Sequence, residues 1–134
     1  YDILDQDGQH SSFFSSCVQA ADYIESQGFS KQQINIGFPF YGTWEGGRME
    51  QYAYNAVTEE ISPFNNFYTM KKYDTQEDRY TYFNSQAIIR DKTAYAYLKG
   101  YGGVMIFSQY CDLPSGDERS LTKAISDYLQ EVKK

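Results

Sequence analysis

A chain of 134 residues, 41% hydrophobic and 22% charged, makes one domain at most, or part of a larger one, and is too apolar for a disordered tail. Its net charge of −6 argues against a nucleic-acid partner, because binding a phosphate backbone takes a basic footprint. Aromatic residues reach 18%, with 14 Tyr and 9 Phe, and the apolar face and polar tip of Tyr suit wet binding surfaces as well as cores.

The chain opens YDILDQDGQH, in which Asp2, Asp5, Asp7 and Gln9 form the frame D-x-x-D-x-D-x-Q. Residues 12–28, SFFSSCVQAADYIESQG, place Phe14, Cys17, Val18, Ala21 and Ile24 three and four apart and predict an amphipathic helix stopped by Gly28. INIGFPFYG, 34–42, then predicts a buried parallel strand, with Ile34, Ile36, Phe38 and Phe40 on one face and Asn35, Gly37, Pro39 and Tyr41 on the other. Residues 43–78, rich in Tyr, Asn, Glu and Asp, read as irregular, and RYTYF, 79–83, as a short strand. SQAIIRDKTAYAYLK, 85–99, predicts a second helix stopped by Gly100, and GGVMIFSQY, 102–110, a second buried strand. A last helix spans 118–133, with Leu121, Ala124, Ile125, Tyr128, Leu129 and Val132 on one stripe. This alternation means parallel strands joined by helical crossovers. Since closing a barrel takes about eight strands, the chain reads as the last part of an α/β barrel.

No apolar run approaches membrane-spanning length, and Tyr1 is preceded by neither an initiator Met nor a leader, so a processed, excised or incompletely represented chain is expected. Cys17 and Cys111 fit neither a disulfide framework nor a zinc site, and His10 is the sole histidine. Two buried spectator thiols are the expectation, a Cys–His catalytic pair the alternative; no metal or cofactor is expected.

These residues resemble the C-terminal third of a family-18 glycoside hydrolase, the chitinase-like barrel. INIGFPFYG resembles that family's seventh strand, which commonly ends G-x-P-x-Y-G. IIRDKTAYAYLKGYGGVMIF resembles its S-I-R-x-K helix followed by the G-G-x-M-x-W eighth strand, and KYDTQEDRYTYF the stretch closing its insertion after the seventh. The resemblance implies a partial (β/α)8 barrel over 1–134, running from the end of strand 6 to strand 8 with helices 6 to 8 and an insertion over 43–83. The opening frame is one atom exchange from the family's acidic signature D-x-x-D-x-D-x-E, which belongs to its fourth strand. Here one helix separates that frame from INIGFPFYG, which instead aligns Tyr1-Asp2 with the M-x-Y-D that ends the sixth strand. Gln6, Asp7 and Gly8 then read as a turn.

The chemistry implied by the resemblance is hydrolysis of a β-linked N-acetylhexosamine in which the substrate's own N-acetyl carbonyl attacks the anomeric carbon and one carboxylic acid protonates the leaving oxygen. No D-x-x-D-x-D-x-E occurs in the sequence, and the cluster Asp74, Glu77, Asp78 reads as a solvated acidic surface. By resemblance, Tyr1 would hydrogen-bond the N-acetyl group, Asp2 a sugar hydroxyl, and Tyr41 would contact the sugar before the scissile bond. Phe107 stands where the family usually has a Trp that floors this subsite, Thr43 where many members have Arg, and Ile88 where they have Ser. Trp44 is either a stacking platform or an anchor for the excursion. The expected partners are an N-acetylglucosamine-containing oligosaccharide and either the missing part of the barrel or further copies of the chain; the expected location is extracellular. The alternative is a non-catalytic carbohydrate-binding or self-assembling module derived from the same fold.

Overall fold

The computed structural model describes residues 14–44, 47–57 and 60–134, and side chains except those of Trp44 and 47–51. Tyr1, Asp2, the rest of the opening frame and His10 lie outside the described residues. Helix α1 spans Phe14–Ser26, and Gly28 ends it in the left-handed conformation (φ 92°). Of the predicted stripe only Ala21 is buried. Docking of α1 relies as much on polar and ring contacts: Phe14 meets Tyr95 of the next helix edge to face at 5.7 Å, and Glu25 accepts from the hydroxyl of Tyr101, just past that helix's end.

Strands β1 (Asn35–Pro39) and β6 (Gly103–Phe107) pair in parallel, with Ile36 opposite Val104 and Pro39 opposite Phe107. The adjacency expected of INIGFPFYG and GGVMIFSQY is therefore present. Between them in sequence lies α2 (Gln86–Lys99), whose Ser85 side chain accepts from the Ile88 N–H at 3.3 Å while Gly100 closes the helix with φ 75°. Helix α3 (Leu121–Val132) follows β6. Ile36 and Phe38 share a core with Ile89 and Ala96 of α2 and with Leu121, Ala124 and Ile125 of α3.

Three expectations are corrected. Residues 43–78 are not irregular: β2 (Tyr41–Trp44), β3 (Gly47–Ala53), β4 (Phe67–Lys71) and β5 (Asp78–Tyr82) form an antiparallel sheet in the order β3-β2-β5-β4. FYTMK alternates exposed and buried along β4, but aromatic residues occupy both sides, which hides the two-residue period. The stretch 34–42 is also not one strand. Its alternation runs on unbroken, yet the backbone changes partners at Phe40, whose N–H donates to the Phe107 carbonyl (2.8 Å) and whose carbonyl accepts from the Tyr54 N–H (3.1 Å). Tyr41 thus opens the antiparallel sheet. The second strand is half-open rather than buried, because its Val104–Ile106 side packs on the helices while Met105 and Phe107 face outward.

Candidate functional site

Tyr41 and Phe107 arrive from different sheets and meet at the carboxyl ends of the two parallel strand paths. Their rings stand perpendicular with centroids 6.2 Å apart. Tyr41 is 4% exposed and Phe107 55%, so Tyr41 forms the support and Phe107 the accessible face. An edge-to-face pair of this kind holds the outer ring at a fixed angle. The Phe107–Ser108 peptide, just beyond the strand, is cis.

Gly42 lets Tyr41 sit there. A Cβ at position 42 would lie 2.7 Å from both the Phe83 ring and the Thr81 methyl, so only glycine allows β2 to lie this close to the core. Thr43, next along, is buried, and its Oγ1 has no hydrogen-bond partner among the described residues. Trp44 continues β2 opposite Gly47 and Thr81, after a register shift; its side chain lies outside the described residues. Tyr1 and Asp2 lie outside them as well, so the structure brings together two of the five candidate residues, Tyr41 and Phe107.

The loop after β6 is tied to the turn after β3. Asn55 Nδ2 donates to the carbonyls of Tyr110 (2.8 Å) and Asp112 (3.0 Å). The Asp112 carboxylate in turn accepts from the Leu121 and Thr122 N–H groups and from Ser120 Oγ, each at 2.8 Å, and so caps α3. No composition or spacing signal marks Asn55 or Asp112 for these roles. The acidic cluster carries its own counter-charges: Lys72 pairs with Asp74 at 3.3 Å, Arg79 with Glu77 at 2.8 Å, and Lys71 with Asp78. The sequence reads this cluster as a solvated acidic surface; the structure adds that each carboxylate is ion-paired.

Cys17 and Cys111 are free thiols, each half-buried rather than buried. Burial pushes the Cys17 thiol above its ordinary pKa, the opposite of what a nucleophile requires. Among the described residues, no group of three or more His, Cys, Asp or Glu could hold a metal ion, and no helix is long and apolar enough to cross a membrane.

The described fold is a mixed α/β arrangement in which two parallel strands backed by helices present an aromatic pair at their carboxyl ends. The family model for glycosyl hydrolases family 18 matches residues 1–112, and the chain belongs to that family. Its structure is similar to the family-18 chitinase ChiB of Flavobacterium johnsoniae (22% identity, TM-score 0.68), covering 97% of this chain and 38% of that one. It is likewise similar to a chitinase from Bacteroides thetaiotaomicron (20% identity, TM-score 0.65, 96% of this chain and 43% of that one). A third likeness is to a chitinase-like agglutinin from Robinia pseudoacacia (19% identity, TM-score 0.59, 96% and 45%). At such identities the likeness is one of fold. The chain spans about two fifths of the length of these structures. No curated protein sequence matches it.

Proposed function

We propose that this chain supplies the substrate-positioning wall of a chitinase-like site for β-linked N-acetylhexosamine glycans, with the general acid carried by chain outside residues 1–134. In this reading β1 and β6 are the seventh and eighth strands of a (β/α)8 barrel, and 43–83 is the insertion after the seventh. The observation that carries it is the perpendicular Tyr41–Phe107 pair at the carboxyl ends of the strand paths, where barrel enzymes hold substrate. Phe107 would stack on a pyranose ring with Tyr41 holding it in place. Tyr1 and Asp2 would orient the N-acetyl group and a hydroxyl, and Trp44 would extend the aromatic surface. An extracellular location follows from the same family reading.

A second reading has an observation of its own. Phe107 is a smaller platform than Trp and lacks its indole donor, and Thr43 cannot supply the charge of an Arg. Both departures, with the likeness to an agglutinin, suit a module that binds glycan without cleaving it.

The test titrates N-acetylglucosamine oligomers into the chain while following cleavage and intrinsic fluorescence. Binding without cleavage is expected, weakened by Phe107→Ala and strengthened by Phe107→Trp. Loss of a general acid typically lowers the rate by about 10²–10⁴. Turnover by the pure chain would place the acid within it, and failure to bind any oligomer would remove the positioning role.

A further inference from the structure

Residues 53–55, where β3 ends and a turn follows, reach both of the elements that carry the aromatic pair. Ala53 lies opposite Tyr41 in the β2–β3 register, and the Tyr54 N–H donates to the Phe40 carbonyl at 3.1 Å. The Tyr54 hydroxyl donates to the Arg119 carbonyl, just before α3, at 3.0 Å. One residue on, Asn55 Nδ2 donates to the carbonyls of Tyr110 at 2.8 Å and Asp112 at 3.0 Å. Three consecutive residues thus brace the strand path of Tyr41 against the chain that leaves Phe107.

That chain has reason to be braced. Phe107 is the last residue of β6, and its carbonyl is held by the Phe40 N–H at 2.8 Å. Residues 108–112 then leave the ladder and form a single turn. The Cys111 N–H closes it on the Ser108 carbonyl (2.9 Å) and the Asp112 N–H on the Gln109 carbonyl (3.1 Å). The turn so formed uses the Ser108 and Gln109 carbonyls, and those of Tyr110 and Asp112 are the two that Asn55 takes. The Asp112 carboxylate fixes the far end of the turn to α3. Asn55 fixes its middle to the segment beside Tyr41. A turn free to tilt on the strand end would draw the Phe107 ring away from its perpendicular seat on Tyr41.

The residue type suits the task. A primary amide offers two N–H donors on one atom, where Ser or Thr offers one donor and an ionised Asp none. Asn55 is also at the surface, so truncating it opens no cavity in the core.

We infer that Asn55 is a positioning residue for the candidate site, holding the turn after β6 so that Phe107 keeps its angle against Tyr41. The inference rests on the reading of Tyr41–Phe107 as a sugar-binding wall, and adds to it a residue that acts through Phe107. The full chain is titrated with the hexamer of N-acetylglucosamine. Asn55→Ala should lower affinity by about fivefold. Asn55→Asp should lower it further, because its carboxylate would face two carbonyl oxygens, and should recover toward the alanine value below a pH of about 4, where it gains a proton. Asn55→Ser, with one donor, should fall between wild type and alanine, and gives the same test should the alanine variant fail to fold. The double variant Asn55→Ala, Phe107→Ala should bind about as weakly as Phe107→Ala alone, since a brace has no effect once the ring it holds is gone.

Full affinity in the Asn55 variants, with Phe107→Ala still weakened, overturns the inference and leaves the sugar-binding wall standing. Losses that multiply in the double variant also overturn it, because Asn55 would then act independently of Phe107. A wild type that binds no oligomer, or a Phe107→Ala variant that binds as well as wild type, removes the wall and the inference together.

Discussion

Lys92 lies within α2 at 1% exposure, its ammonium donating to Asn84 Oδ1. Burial pulls its pKa down to about 8, with the nearby Cys17 opposing that shift. Because the folded pKa lies below the unfolded one, the unfolded chain takes up the proton first as pH falls. Stability from the neutral amine is therefore complete above the unfolded pKa and declines as pH drops toward 8. Comparing wild type with Lys92→Met in urea at several pH values isolates this group. The advantage of wild type over the variant should grow by up to ~3 kcal/mol between pH 7 and pH 10.5; a pH-independent difference would refute the account. The buried Thr43 hydroxyl is a second test at this scale. Thr43→Val removes an oxygen that has no partner among the described residues and keeps the shape, so stability should stay level or rise by up to ~1 kcal/mol in thermal melts.

Among the elements, α3 depends most on one side chain outside it. Asp112 accepts the Leu121 and Thr122 amides, and Asp112→Ala should cost about 3 kcal/mol, read as a lower urea midpoint with an unchanged slope. The helices were the most legible elements in the sequence, since Ser85, Gly100 and the Leu121–Leu129 stripe are local signals that act within one turn. The β1–β6 adjacency was legible too, because a helix between two apolar runs forces a parallel crossover. Hydrogen-bond partners across distant chain were not. Nothing in INIGFPFYG shows that Phe40 trades β6 for the segment after β3, because side-chain alternation is blind to which backbone is alongside. The meeting of Tyr41 and Phe107 follows in the sequence only from the family resemblance, which places both at one subsite, whereas the Phe67–Tyr82 pair depends on a register that only the folded sheet defines.

For the molecule as a whole, the parallel sheet is the exposed flank. It contains two strands, so each has an edge without a strand neighbour among the described residues. Met105 and Phe107 look outward from it, and an apolar cleft of about 340 Å³ runs between Ile106 and the Ile125–Leu129 side of α3. Open edges beside apolar surface invite pairing. The chain alone should self-associate at micromolar concentration or take up a complementary piece of barrel. Sedimentation velocity showing a compact monomer with a single cooperative melt would contradict this.

Phe40 has both backbone groups engaged, one by each side of the structure, and so acts as a rivet rather than a hinge. Motion of the antiparallel sheet relative to the parallel pair is opposed by the Phe40–Phe107 and Tyr54–Phe40 bonds. Its amide and that of Tyr54 should then exchange with deuterium only as fast as the whole fold opens, and no faster than amides in the middle of α2. On the proposed function, a glycan would in consequence meet the Tyr41–Phe107 pair on a joint already fixed by two backbone hydrogen bonds.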